Sequence, residues 1–174
     1  MLGFFIPTGR GQGDVMLQEV ARRLGAQGVA MSGVVQRNDE YDPERRCHMD
    51  LQILGQSDII RISQERGKHA LGCRLDSGQL ALAVHHVEAA LQRGQVSLLI
   101  INKFGKQEAE GEGFRDAIGT ALAQGIAVLT TVSPGQMPGF RDFAQGLECE
   151  LPCDIDAVTR WCLEQCHART DAAQ

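Results

Sequence analysis

Short apolar runs alternate with helix-like repeats along most of the chain. Apolar residues recur at the spacing of one helix face in four segments, which are residues 15–24, 80–91, 114–122 and 155–166. Shorter apolar runs predict strands at residues 2–6, 29–35, 96–101 and 126–132. Residues 96–101 form a run that is apolar except for Ser97, which is typical of a central strand buried on both faces of a parallel sheet.

An antiparallel pair of strands interrupts this alternation. Residues 48–54 alternate apolar and polar positions, a turn follows at residues 55–58, and residues 59–62 are again apolar-rich. The whole pattern predicts a three-layer α/β domain with a mainly parallel central sheet and an inserted antiparallel hairpin. We expect a single domain over residues 1–174, with the last few residues disordered.

Composition narrows the classes of function. The 43% hydrophobic content is ordinary for a globular domain, and no apolar run reaches the roughly 20 residues that span a bilayer. The first residues lack a basic segment, so they predict a buried strand and not a leader, and we expect a cytoplasmic protein. A net charge of -5 argues against nucleic-acid and membrane partners. A homo-oligomer or a protein partner stays open.

The six cysteines predict reduced thiols rather than disulfides in a chain with this much core. Two pairs are four residues apart, Cys149 with Cys153 and Cys162 with Cys166, and this spacing makes a metal site an alternative for them. Cys47-His48 with Asp50 is a second candidate fragment. Zinc sites use closer cysteine pairs more often, so buried thiols are the favoured interpretation and no metal site is predicted.

A glycine-rich turn lies between the first strand and the first helix. Such a turn exposes backbone N–H groups at the positive end of a helix, which suits an anion. The glycines are equally compatible with a tight strand-to-helix turn that binds nothing. The candidate ligand-binding residues here are Thr8, Gly9, Arg10, Gly11, Gln12, Gly13 and Asp14.

A second polar cluster follows the central strand. Because ligands collect at the carboxyl ends of parallel strands, Asn102, Lys103 and Lys106 are further candidates. Arg74 is a candidate anion contact, although a surface ion pair explains it equally well. Asp76 is expected to cap the second helix. Glu108 is expected on a solvated acidic face, with pairing to Lys106 left open.

Two common nucleotide motifs do not fit. A dinucleotide G-x-G-x-x-G would need glycine at Asp14 or Met16, and the N-K-x-D motif of GTPases would need aspartate at Gly105. Taken together, however, the glycine turn, the segment 99–108 and the segment 33–54 between them resemble the nucleoside-triphosphatases of the thermophilic, cancer-related type. Segments 33–36, 73–76 and 102–111 are more specifically similar to a bacterial family of uncharacterised nucleoside-triphosphatase-like proteins.

The resemblance implies a Walker A loop at the turn and a Walker B strand in the segment 99–108, which would end at Asn102 and Lys103, and both motifs are degenerate. Asn102 stands at the metal-organising aspartate, and Lys103 stands at the catalytic glutamate. Asp14 replaces the phosphate lysine, and Val15 replaces the hydroxyl residue that would hold Mg²⁺. Asp14 is also a good helix N-cap that would compete for the same amides. At an effective dielectric of about 20, two unit charges about 4 Å apart interact with roughly 4 kcal/mol. Aspartate in place of lysine therefore replaces an attraction to a phosphate by a repulsion of similar size.

The sequence therefore predicts a degenerate P-loop protein that binds a nucleotide or a phosphate-like oxyanion, with weak or no hydrolysis. Any enzymatic activity would be that of a nucleoside-triphosphatase-like hydrolase, with catalytic residues unassigned and Mg²⁺ not held in the usual way. Two alternatives stay open. One is a regulatory or interaction module in which Asp14 permanently caps the helix. The other is a sensor or carrier of an oxyanion such as molybdate.

Overall fold

The computed structural model describes residues 1–37, 49–64 and 75–172. The strands are Leu2–Phe5 (β1), Met31–Arg37 (β2), Asp50–Ile53 (β3), Ile59–Arg61 (β4), Leu98–Phe104 (β5), Ala127–Val132 (β6) and Glu148–Glu150 (β7). The helices are Gln12–Ala26 (α1), Ser77–Gln92 (α2), Lys106–Ala109 (α3), Arg115–Ala123 (α4), Met137–Ala144 (α5) and Ile155–Ala172 (α6), with a 3-10 turn at Pro134–Gln136.

The strands form a seven-stranded sheet in the order β4-β3-β2-β5-β6-β1-β7. From β2 to β7 the neighbours are parallel, whereas β3 pairs antiparallel with both β2 and β4. β5 is the central strand, and Leu98, Leu99 and Ile100 are fully buried. The prediction of a central strand that is buried on both faces is therefore confirmed.

Helices cover both faces of the sheet and create two hydrophobic cores. On one face α2, α4 and α5 contribute residues such as Val87, Ile118 and Phe140. On the other face α1 and α6 contribute residues such as Leu17 and Trp161. This arrangement confirms the prediction of a three-layer P-loop-NTPase-like domain with a mainly parallel sheet and an inserted antiparallel hairpin.

Several elements differ from the sequence prediction. α1 begins at Gln12, three residues before the predicted start at Val15, because Gly11 adopts a left-handed conformation (φ 74°) and ends the turn there. The short elements α3, α5 and β7 were not predicted. β7 has no apolar alternation to reveal it, and it exists because it pairs in parallel with β1. The second helix is capped as expected, since the Asp76 carboxylate accepts from Gly78 N and Gln79 N, both at 3.1 Å.

The strand order places the glycine turn and the polar residues at the end of β5 on the side of the sheet where the parallel strands have their carboxyl ends. β6 lies between β1 and β5, so the glycine turn after β1 and the polar segment after β5 flank the end of β6. Within the described part of the chain, no helix is long and apolar enough to cross a membrane.

Candidate functional site

The glycine turn joins β1 to α1 through Thr8, Gly9, Arg10 and Gly11. Gly11 is the N-cap of α1, and no side chain caps the helix. Inside the turn, Gln12 N donates to Gly9 O at 3.3 Å. Thr8, Gly9 and Arg10 are exposed, so the turn presents its backbone to solvent at the positive end of a 15-residue helix.

The side chain of Gln12 folds back over this turn. Its Oε1 atom accepts hydrogen bonds from Thr8 N at 2.7 Å, from Thr8 Oγ1 at 2.8 Å and from Gly9 N at 3.2 Å. A neutral carboxamide oxygen therefore holds the donors that were predicted for a ligand anion. No local sequence pattern predicts this contact of Gln12 with Thr8 and Gly9.

Other donors of the turn lack a partner. Among the described residues, the N–H groups of Arg10, Gly11 and Gly13 have no hydrogen-bond acceptor and are here called open, although Arg10 is exposed, Gly11 is half-buried and Gly13 is buried. A Cβ on Gly13 would lie 2.9 Å from Pro7 Cγ and 3.2 Å from Thr131 Cγ2, so glycine is needed for the turn to pack against β6. The turn thus packs tightly against β6 and leaves three backbone N–H groups without an acceptor among the described residues.

Asp14 lies in the first turn of α1 and does not cap the helix, so the expectation of an Asp14 N-cap was wrong. Its Oδ1 atom instead accepts a hydrogen bond from Asn102 Nδ2 at 2.8 Å. The reason for the difference is the early helix start, which places Asp14 inside the helix and turns its side chain toward β5. The first helix turn still favours the negative charge of Asp14 through the helix dipole.

Asn102 forms a buried junction at the end of β5. It is 4% exposed, and its Oδ1 atom accepts from Gln36 N of β2 at 2.9 Å while Nδ2 donates to Asp14. Its backbone oxygen accepts from Thr131 Oγ1 of β6 at 2.7 Å. Gln18 of α1 donates to Gln36 O at 2.6 Å and ties the same helix to β2. The carboxamide of Asn102 thus holds α1, β2 and β5 together at the turn.

The two candidate lysines are exposed. Lys103 lies in a bulge, where three steps along β5 from Ile101 to Phe104 match two steps along β6. Lys106 begins α3, and its Nζ atom lies 3.5 Å from Glu110 Oε1. Both ammonium groups are screened by water, so each contributes a modest local field rather than a strong contact.

The expectation that Glu108 lies on a solvated acidic face was wrong. It is 5% exposed, and its carboxylate accepts from Gly105 N at 2.9 Å and from Phe114 N at 3.1 Å. Its partner is therefore backbone and not Lys106. The carboxylate fastens the start of α3 to the start of α4, and this fixes the segment that carries the lysines. A glutamate three residues after Gly105 at a helix start was the available signal.

The remaining candidates contribute no site here. Arg74, Cys47, His48 and Cys73 lie outside the described residues. Among the residues that the structure does describe, no three His, Cys, Asp or Glu side chains are grouped for a metal ion.

The two cysteine pairs differ in their surroundings. Cys149 lies in β7 and not on a helix, so its spacing from Cys153 does not place the two thiols on one helix face. Cys162 and Cys166 lie in the hydrophobic core, and burial raises the pKa of both thiols, which keeps them protonated.

Comparisons with known proteins give two matches. A family model described as "Protein of unknown function (DUF2478)" matches residues 5–161. The chain is also 35% identical over 148 residues to Molybdenum import ATP-binding protein ModC 2 of Bradyrhizobium diazoefficiens. That alignment covers 85% of this chain but 16% of the relative. No solved structure matches the chain.

Proposed function

The chain belongs to the family described as protein of unknown function DUF2478, and on that premise we propose that it binds a nucleotide or another phosphate-like oxyanion at the glycine turn. The observation that carries the proposal is the set of open N–H groups of Arg10, Gly11 and Gly13 at the start of α1. Backbone N–H groups at a helix start are a common means of holding a phosphoryl or similar oxyanion group.

Positive charge nearby supports this proposal. Arg10 lies in the turn itself, and within the described part of the chain it makes no ion pair that would neutralise it. Lys103 lies near the end of β5 and Lys106 lies shortly after it, on the other side of the β6 end. Asp14 opposes them, and its fixed negative charge disfavours a highly charged polyphosphate more than a compact anion. The proposed ligand is therefore a compact oxyanion or a single phosphoryl group of a nucleotide.

We further propose that hydrolysis is slow or absent. Val15 is 64% exposed and offers no oxygen ligand, and Asp14 Oδ1 accepts a hydrogen bond from Asn102. These residues do not suit Mg²⁺, which requires several oxygen ligands in octahedral geometry. Lys103 in the position of a catalytic carboxylate also cannot take a proton from water while it is charged.

The relative's name favours molybdate as a second candidate ligand. That name states molybdenum import and ATP binding for a protein of which this chain aligns with 16%, so neither property transfers without a test. Molybdate is a compact tetrahedral dianion, and a short turn with few donors fits it as well as it fits phosphate.

A binding panel tests both candidates. Isothermal titration and thermal shift would be measured with ATP, GTP, phosphate, sulfate and molybdate, each with and without Mg²⁺. We expect a rise in melting temperature that does not depend on Mg²⁺, and no response to any ligand at millimolar concentration would refute the proposal. Retention of molybdate alone would favour the second candidate.

Charge variants locate the site. Lys103→Ala is expected to reduce the thermal shift, whereas Arg93→Ala removes one exposed positive charge at the far end of α2 and should leave the shift unchanged. Equal losses in both variants would indicate a general effect of net charge instead of a site. Asp14→Lys should raise affinity for anions if the turn binds them. A module that binds no anion would gain none.

A further inference from the structure

Gln12 is both the first residue of α1 and the residue that covers the turn. We propose that the ligand anion extends from the N–H groups of Arg10, Gly11 and Gly13 to the donors of Thr8 and Gly9, and that the Gln12 carboxamide competes with it for the Thr8 and Gly9 donors. This inference rests on the proposed function, since it concerns regulation of the same turn. It adds the identity of the group that leaves when the ligand arrives.

The competition follows from geometry. Gln12 Oε1 lies 2.7 Å from Thr8 N, 2.8 Å from Thr8 Oγ1 and 3.2 Å from Gly9 N, which are hydrogen-bond distances. A ligand oxygen that accepts from the same donors must occupy the same point. Two oxygens cannot share it, so binding at Thr8 and Gly9 requires the carboxamide to leave.

The carboxamide is able to leave without disturbing the fold. Among the described residues, Gln12 Nε2 makes no hydrogen bond, so the side chain is held through its oxygen alone. The backbone below it is fixed separately, because Gly13 packs on Pro7 and Thr131 and Asp14 is bonded to Asn102. Rotation about the side-chain bonds of Gln12 therefore opens the turn while α1 stays in place.

Acceptor strength decides which ligands open the turn. Hydrogen bonds to a charged oxygen are roughly twice as strong as those to a neutral one. A phosphate-like oxygen is therefore able to replace the carboxamide oxygen, whereas a neutral hydroxyl or carbonyl ligand gains nothing over it. Gln12 thus favours ligands with an anionic oxygen at the Thr8 and Gly9 donors, and it lowers the affinity of every ligand that must replace the carboxamide there.

The test compares Gln12→Ala and Gln12→Glu with the unchanged protein in phosphate titrations. Gln12→Ala removes the competitor, and we expect phosphate affinity to rise about tenfold, which corresponds to one typical net hydrogen bond. Gln12→Glu supplies a charged competitor and should lower the affinity by at least as much. Gln27→Ala, at the other end of α1, is the matched control and should change nothing.

Amide resonances of Thr8 and Gly9 provide a direct second measurement. They should move in Gln12→Ala without phosphate and move again when phosphate is added. If the unchanged protein binds phosphate and Gln12→Ala binds it equally or more weakly, the competitor is overturned while the proposed function stands. If neither protein binds phosphate, sulfate or molybdate at millimolar concentration, both proposals fall together.

Discussion

Substitution of Asn102 tests the junction that holds the glycine turn. Asn102→Ala removes the acceptor of Gln36 N–H and the donor to Asp14, while the Thr131 bond to the backbone oxygen is retained. The side chain is 4% exposed, so the groups left behind are not simply returned to bulk water. We expect the loss to appear in the free energy of unfolding.

The magnitude follows from the two bonds. A buried N–H that loses its acceptor costs about 1–3 kcal/mol, which applies to Gln36. A hydrogen bond to a carboxylate contributes about 1.5–3 kcal/mol when buried, and we take about 1 kcal/mol because Asp14 is half-buried. The sum is about 3 kcal/mol, which would shift the folding equilibrium roughly a hundredfold.

Denaturant unfolding followed by tryptophan fluorescence is the assay. Trp161 is the single tryptophan of the chain and is 9% exposed, so its emission reports loss of the core. Thr131→Val removes one hydrogen bond with little change of shape and should cost about 1 kcal/mol. A loss below about 0.5 kcal/mol for Asn102→Ala would refute the junction.

Asn102→Asp separates the two bonds. It keeps an acceptor for Gln36 N–H but faces the Asp14 carboxylate with a second carboxylate instead of a donor. We expect this variant to be destabilised at neutral pH although the Gln36 bond survives. Wild-type stability would show that the Asp14 contact contributes nothing.

Three further predictions concern the packing of β1, the buried Glu108 carboxylate and an ion pair on the surface of α1. Gly3→Ala would place a Cβ 2.5 Å from Trp161 Cη2, so overpacking should cost about 1–3 kcal/mol in denaturant unfolding, whereas Gly119→Ala has open space and should not destabilise. Glu108→Gln replaces one acceptor oxygen by an NH₂ group facing a backbone N–H and should destabilise by about 1–3 kcal/mol; unchanged stability would contradict the buried role. Hydrogen bonds from Arg22 and, to a smaller extent, from Arg23 lower the pKa of Glu19 to about 2. The stabilising contribution of the Glu19 carboxylate is therefore complete above about pH 4.5 and is lost as the pH falls through about 2. The difference in stability between wild type and Glu19→Gln should follow that course, and a constant difference down to pH 2 would contradict it.

Local patterns were sufficient for the main elements. The apolar run of β5 predicted a strand buried on both faces, because about six residues are few for a buried helix and typical of a central parallel strand. The helix-face repeats predicted α1, α2 and α6, and Asp76 marked a helix start through its own chemistry. In each case the signal lies within a few neighbouring residues. The position of the glycine turn between β1 and α1 was available in the same way.

The partners of the charged and polar site residues were decided only by tertiary structure. Asp14 and Asn102 are 88 positions apart and bond because α1 packs against the sheet beside β5. The spacing of Gly105 and Glu108 indicates the local bond from Gly105 N, but Glu108 is buried because the start of α4 folds over it, and the sequence pattern does not predict that contact. Local sequence patterns predicted the longer parallel strands, the inserted hairpin, the main helices and the glycine turn at the start of α1. Which group the amides of that turn hold, and which carboxylate is buried, depended on distances between segments remote in the chain.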